Sequence, residues 1–286
     1  MNTKEVSAYL HINEKKIYQL VKDSQIPFTR VGGKIIFARE ILDSWIHENT
    51  QMNKCLMISA SDDPLFREIV DLYNRKNDNP AYIATVGSIN ALSLLKSGKA
   101  NMSCVHVPDQ NSEYSLSFLD RYLNRDGYVV LRLFSRSQGI ILPPGNPENV
   151  KNFKDIFSKK LRFINRNPGS GTRIIVDHLL KAGKINVSRA EILADDALSH
   201  MGAAMSVLKE EADAAFGLEH VANLMGLSFI PVVEEPFNLV IHAEQFETRL
   251  IKQFVATFEQ ATLPLHLQNQ AGYDISTMGQ VVWQPE

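Results

Sequence analysis

The chain is poor in cysteine, and it has no large excess of either charge. Two cysteines, Cys55 and Cys104, cannot build a disulfide framework, and their spacing matches no zinc-ligand pattern. They read as reduced, buried thiols. The formal net charge is −2, so the chain as a whole is no polycation. Contact with nucleic acid would have to come from a local surface. No apolar run reaches the roughly 18 residues that a membrane-spanning helix needs. The first residues, MNTKEVSAYLHINEKK, lack the apolar stretch of a secretory signal. The expectation is a cytoplasmic protein without membrane contact. No internal repeat or low-complexity tract interrupts the chain. Its 286 residues are 44% hydrophobic and 22% charged, which excludes wholesale disorder and leaves room for more than one core.

Residues 1–50 carry seven Lys/Arg and six Asp/Glu, so pattern rather than charge must identify this segment. TKEVSAYL reads as a short helix with Thr3 as its cap and Val6, Tyr9 and Leu10 as its apolar stripe. Asn13 caps a second helix, EKKIYQLVKD, which buries Ile17, Leu20 and Val21. Two short helices across a tight turn form a helix–turn–helix. FTRV and KIIF then flank Gly32-Gly33, a pair suited to the positive φ angles of a two-residue hairpin. A third helix, AREILDSWIHEN, is expected to turn Ile41, Leu42, Trp45 and Ile46 inward. This order describes a winged helix–turn–helix. Its second helix would enter the major groove with Lys15, Lys16 and Lys22 on phosphates and Tyr18 and Gln19 toward bases. Arg30 and Lys34 would flank the wing tip.

After a short polar linker at 51–54, strands and helices alternate, the signature of an α/β body with parallel strands covered by helices. Strands are expected at CLMISA, AYIATVG, ANMSCVHV, GYVVLRLF, GIIL, LRFIN, ADAAFG, LSFIPVV and FNLVIH. Three strand-to-helix corners offer donors for an anion: Ser59 to Pro64, Val86 to Asn90, and Asn165 to Arg173. Ligands of α/β sheets collect at the carboxyl ends of strands, and helix N-termini present free N–H groups and a positive dipole end. Ser61, Ser88, Ser170 and Thr172 supply hydroxyls, Gly171 backbone, and Arg166 or Arg173 charge-assisted bonds. Asp62 and Asp63 offer ligands for a cation, but adjacent carboxylates ahead of Pro64 more often cap a helix, which would turn the neighbouring N–H groups toward a ligand. GSGTR is no Walker A loop, because no lysine follows its last glycine. Pro168 stands where a nucleophile elbow needs glycine. His106, His178 and His200 have no helical metal-pair spacing, and the sequence displays no nucleophile–base pair.

The head resembles the excisionase-like branch of the MerR-type winged helix–turn–helix family. The residues that carry this are Thr3 to Leu10, Lys16 to Val21, Ile26-Pro27, Gly33-Lys34 and Trp45. Ile36-Phe37 departs from the Arg-Phe of many relatives. The body, from about Cys55 to Gln280, resembles the periplasmic-binding-protein-like domain of the molybdate-binding type. Its carrying motifs include Gly87-Ser88, Lys96 to Ala100, His106-Val107, Gly139 to Pro147, Arg162 to Arg173, Ser199-His200, Ala212 to Gly217 and Glu234-Glu235. Relatives usually carry Tyr-Asp-Leu where this chain has Phe237-Asn238-Leu239, and a Gly-Ser-His-like string at Ser59-Ala60-Ser61.

The resemblance implies a two-lobed type II body over 55–286. Lobe one takes about 55–132 and 241–286, lobe two about 137–236, and crossovers fall near Leu133-Phe134 and Val240-Ile241. It places Ser59, His200 and Asn238 beside the same cleft as the corner residues. Together the two resemblances imply a one-component regulator that binds a double-stranded DNA operator and senses molybdate or tungstate. It would have no cofactor or catalytic role and would act as a homodimer, since one small head buries little DNA surface. Three other readings stay open. They are a sensor of a small organic acid, an enzyme of molybdenum-cofactor chemistry, and a transport-associated binding protein.

Overall fold

The computed structural model describes residues 1–49, 55–108, 114–185, 192–259 and 263–285. The expected linker at 51–54 lies outside the described residues. The chain divides into two compact units, Met1–Lys54 and Cys55–Glu286.

The first unit runs α1 (Thr3–Leu10), α2 (Glu14–Lys22), β1 (Thr29–Val31), β2 (Lys34–Ile36) and α3 (Arg39–Asn49). Asn2, not Thr3, caps α1. Its side chain accepts the Glu5 N–H at 2.9 Å while the Glu5 carboxylate accepts the Asn2 N–H at 2.8 Å, a reciprocal capping box. Asn13 caps α2 as expected, accepting from the Lys16 N–H at 2.8 Å. β1 and β2 pair antiparallel with Val31 opposite Lys34, and Gly32 and Gly33 take φ of 54° and 80° at the turn. Val6, Ile17, Val21, Ile26, Phe37 and Leu42 form the core. Ile41 does not face inward; it is 57% exposed. Leu42, Trp45 and Ile46 follow the 3, 4 spacing of the inner stripe, and Ile41 falls one residue off it.

The second unit runs β3 (Leu56–Ala60), α4 (Pro64–Lys76), β4 (Ala81–Thr85), α5 (Ser88–Lys96), β5 (Met102–Val105), α6 (Ser117–Tyr122) and β6 (Tyr128–Leu142). It continues with α7 (Phe153–Ser158), β7 (Phe163–Ile164), α8 (Gly171–Ala182), α9 (His200–Leu208), β8 (Ala214–Leu218), α10 (Glu219–Leu224) and β9 (Ser228–His242). It ends with α11 (Ala243–Phe246), α12 (Arg249–Val255), α13 (Leu265–Gln268), β10 (Tyr273–Asp274) and β11 (Val281–Trp283). The described strands form one sheet ordered β4-β3-β5-β9-β6-β8-β7, with β10 and β11 also on β6. β3 pairs parallel with β4 and β5, and β7 parallel with β8. Among the described residues, no helix is long and apolar enough to cross a membrane.

β6 and β9 each join two expected strands into a single 15-residue strand, and they pair antiparallel from end to end. On the β3 side, alternate residues feed two cores. Leu131, Leu133, Leu239 and Ile241 join Phe66, Tyr73, Phe254 and Phe258 on one face, and Val130 and Val240 join Leu92, Leu95 and Val105 on the other. On the β7 side, Ile140 packs with Phe153, Phe163 and Phe216, and Ile141 with Ala203, Val207 and Val221. The change between core sets falls over Ser135–Gln138 on β6 and Glu234–Pro236 on β9. The crossing on β9 therefore precedes the expected Val240-Ile241, because Phe237, Leu239, Val240 and Ile241 are already committed to the β3-side cores. Between the core sets the strands carry polar residues, Arg136 opposite Glu235 and Ser137 opposite Glu234.

Candidate functional site

Four chain corners meet at this polar crossing. β3 ends at Ala60, and Ser61, Asp62 and Asp63 follow; Asp63 caps α4, accepting from the Phe66 N–H at 2.7 Å. β5 runs into His106. From the other side, β7 leads to Asn165 and Arg166, and Ser170 caps α8 by accepting from the Arg173 N–H at 3.1 Å. Ser199 caps α9, which begins at His200. The corners approach closely where side chains are missing. A Cβ on Gly87 would lie 2.8 Å from the Gly169 carbonyl oxygen, and one on Gly171 would lie 2.6 Å from Nδ1 of His106.

At the centre is a relay of buried groups. The Ser61 hydroxyl lies 2.8 Å from His106 Nε2, and His106 Nδ1 lies 2.7 Å from Glu235 Oε2. Glu235 accepts only, so Nδ1 carries the imidazole proton and Nε2 accepts from Ser61. Glu235 Oε2 also accepts from the Tyr114 hydroxyl at 2.9 Å, and its Oε1 accepts from Arg136 Nε at 2.6 Å and from the Gln138 amide. Arg136 Nη1 donates to Asp63 Oδ2 at 2.7 Å and to the Asp62 carbonyl at 3.0 Å. Its guanidinium stacks 4.7 Å from the Phe237 ring centroid. Burial pushes Glu235 up, but Arg136 and His106 outweigh it and hold the carboxyl at about 2. Burial lifts Asp63 above its ordinary value against the pull of Arg136. Burial also lowers His106, and Glu235 only partly offsets it.

Beside the relay stand three buried nitrogens with no hydrogen-bond partner among the described residues: Arg136 Nη2, Arg166 Nη1 and His200 Nδ1. The same three residues contact Asp62 through other atoms. Its carbonyl binds Arg136, and its Oδ2 accepts from the His200 N–H at 2.7 Å and lies 3.8 Å from Arg166 Nη2. Burial brings Arg166 down to about 10, Asp62 opposing. His200 falls well below its ordinary value through burial, then through Arg166 and Arg136. At the start of α8, Gly171 and Thr172 hold positions whose N–H groups have no acceptor within the helix.

The structure brings Ser61, Asp62, Arg166, Ser170, Gly171, Thr172 and His200 to this cluster. Their hydroxyls are partly committed: Thr172 donates to Gln138 Oε1 at 3.0 Å, while Ser170, as a cap, accepts and keeps its own proton to donate. Ser88 lies behind His106 and exchanges hydrogen bonds with that residue's backbone at 3.2 Å. Ser59, Asn238 and Arg173 stay outside. Ser59 bonds Ala91 and Ser103 within its own side, and Asn238 accepts from Arg132 at 2.9 Å. Arg173 is spent on Asp177, Asp196 and the Arg166 carbonyl. The sequence reading missed Arg136, Gln138 and Glu235 as site residues, and with them the pairing of Ser61 and His106 as hydroxyl and base.

In the first unit, Lys15, Lys16, Tyr18, Gln19 and Lys22 are exposed on α2, and Arg30 and Lys34 flank the hairpin turn. Tyr18, Lys34, Glu14 and Lys4 line one surface depression, so α1, α2 and the hairpin share a face. Lys4 was not anticipated there.

Residues 1–50 match the model of a helix-turn-helix domain of the excisionase-like type, and residues 70–259 match that of a PBP superfamily domain. The uncharacterized protein YvgK of Bacillus subtilis (strain 168) is 24% identical, over 97% of this chain and 96% of its own length. An ABC-transporter substrate-binding protein with bound phosphate from Clostridium perfringens superposes with a TM-score of 0.59 at 15% identity, over 77% of this chain and 98% of that one. The tungstate ABC transporter structure from Geobacter sulfurreducens superposes with a TM-score of 0.55 at 17% identity, over 74% and 97%. These likenesses show a type II periplasmic-binding-like fold.

Proposed function

This chain belongs to the PBP superfamily, and we propose that it is a cytoplasmic one-component transcription regulator that senses a small oxyanion, molybdate or tungstate. The observation that carries the reading is the trio of buried, unpartnered nitrogens on Arg136, Arg166 and His200. A buried donor left unsatisfied costs about 1–3 kcal/mol, more if charged. Two of these nitrogens are guanidinium donors on residues that also contact Asp62, and a ligand that accepts from them accounts for both. A tetrahedral oxyanion has acceptors on every side and suits both guanidinium groups and helix N–H donors. The tungstate and phosphate proteins of similar fold support an oxyanion in particular.

Anion binding between the two sides favours the arrangement in which they touch, and operator affinity follows. Such coupling is typically about 1–3 kcal/mol. The head reads DNA through α2 and the hairpin, and a homodimer would match two half-sites. Calorimetric titration of the full chain with molybdate, tungstate, sulfate and phosphate tests the reading. Molybdate or tungstate should bind, and Arg166→Met should remove the binding. Absence of heat from all four anions overturns the oxyanion assignment, and heat from a small dicarboxylate alone would move it to organic acids.

One observation favours a second reading. Ser61, His106 and Glu235 have the order and spacing of a nucleophile, base and orienting acid. A hydrolytic enzyme would be labelled at Ser61 by a fluorophosphonate, and labelling would vanish in Ser61→Ala. An unlabelled protein dismisses this reading.

A further inference from the structure

We infer that the anion enters this cleft together with one proton from solvent, which His106 stores between Ser61 and Glu235. The inference rests on the anion-sensing reading above.

The cluster contains two guanidinium groups, Arg136 and Arg166, and three carboxylates, Asp62, Asp63 and Glu235. With both imidazoles neutral it is already one charge negative. A divalent oxyanion placed there would leave three uncompensated negative charges among largely buried groups. Buried charge of that kind is avoided by shifting a proton.

His106 is the group arranged to take it. Glu235 from β9 accepts from Nδ1 at 2.7 Å, and Ser61 lies 2.8 Å from Nε2. Once Nε2 is protonated, it donates to the Ser61 oxygen. The Ser61 hydroxyl is then released from the ring and turns its hydrogen toward the anion. No heavy atom has to move, and the proton creates one more donor for the ligand.

The other groups facing His106 explain why the proton waits for the anion. Arg136 from β6, Arg166 after β7 and the N-terminal end of α8, whose Gly171 abuts the ring, all oppose an imidazolium. The Tyr114 phenol shares Glu235 Oε2, and Asp63 is paired with Arg136. Asp62 is engaged by Arg136, Arg166 and the His200 N–H; α5 contributes the uncharged Ser88. An anion at the start of α8 cancels the opposing field. His200 at the start of α9 is the weaker candidate: Arg166 and Arg136 face it, and Asp62 reaches its backbone rather than its ring.

The test is calorimetry of the full chain with molybdate and with sulfate, both fully deprotonated near neutral pH, in two buffers of equal pH and different ionisation enthalpy. The observed heat should depend on the buffer with a slope of about one proton taken up per anion. Affinity should fall about tenfold per pH unit above neutrality. In His106→Gln, both the buffer dependence and the pH dependence should disappear. Binding without proton uptake by the unsubstituted protein overturns the inference while leaving the anion reading intact. Full uptake retained in His106→Gln also overturns it, and puts the proton elsewhere. No heat in any buffer overturns the anion reading and this inference with it.

Discussion

Substituting Gly171 by alanine tests the contact between the two sides of the cleft quantitatively. Gly171 is the first residue of α8, and its φ lies outside the left-handed region. In open surroundings the change would stabilise the protein by about 0.4–1 kcal/mol through the unfolded chain. Here a Cβ would lie 2.6 Å from Nδ1 and 2.8 Å from Nε2 of His106, and closer still to Cε1. Comfortable carbon contacts need about 3.5 Å, so the ring or the helix must give by roughly 1 Å. The ring is held at 2.7 Å by Glu235 and at 2.8 Å by Ser61, and displacing it weakens both bonds. Overpacking typically costs about 1–3 kcal/mol, and a bond to a charged group is worth about 1.5–3 kcal/mol. The clash therefore wins by about 2 kcal/mol, which lowers the melting temperature by roughly 4–8 °C for a unit of this size. Anion affinity should fall by about 30-fold if the two sides part instead. Gly127→Ala is the control, because nothing lies within 4 Å of a Cβ there. If Gly171→Ala melts no lower than the unsubstituted protein and binds anion equally well, His106 does not rest on α8 and the geometry above is wrong.

Other expectations follow from the same groups. Arg136→Met leaves Glu235 and Asp63 buried without their shared cation, and breaking a pair in this way costs about 3–5 kcal/mol; urea denaturation showing a loss below about 1 kcal/mol would contradict the pairing. Glu235 is depressed to about 2 from 4.5, so its contribution to stability is complete above 4.5 and disappears as the pH falls through about 2. In an acid titration Glu235→Gln should flatten that limb, and an unchanged acid limb would deny the depressed value. Lys15→Ala should weaken operator binding in a mobility-shift assay and reduce the salt slope by about one, whereas Gln19→Ala should cost about 1–3 kcal/mol at one base pair. Unchanged binding in both removes α2 from the groove.

The head was legible because each element obeys a local rule: α2 its helical period and its Asn13 cap, the hairpin its Gly32-Gly33 turn. Ile41 misled because it is apolar and adjacent to the inner stripe. In the body, the α8 corner could be read from a capping Ser170 ahead of an apolar-periodic helix. Ser59 was misplaced for a geometric reason. Ser59 and Ser61 would share a face if the strand continued, but β3 ends at Ala60, and only Ser61 turns into the cleft. Arg136, Gln138 and Glu235 were hidden by their polarity. A charged stretch inside an apolar run looks like a break between strands, whereas here cross-strand pairing satisfies it within two continuous strands. Arg136 and Glu235 are 99 positions apart, and only the register of β6 on β9 brings them opposite each other.

That hidden segment also bears on how the body can switch. The buried members of each apolar core lie on one side of the crossing, although Tyr114, which follows β5, packs against the β7-side core. What passes between the sides, among the described residues, is largely polar: the His200 N–H on Asp62, Arg166 beside Asp62, and His106 against Gly171. Buried ionic contacts gain little net stability, because the loss of hydration offsets most of their attraction. In the proposed switch, a cleft held together by such contacts would sit near balance between open and touching arrangements. A ligand contributing only about 1–3 kcal/mol of differential binding is then enough to shift it. The same contacts built from leucine and phenylalanine would hold the two sides together without any ligand. In the proposed regulator, the charged crossing is what would let so small an effector as an oxyanion control a body of this size.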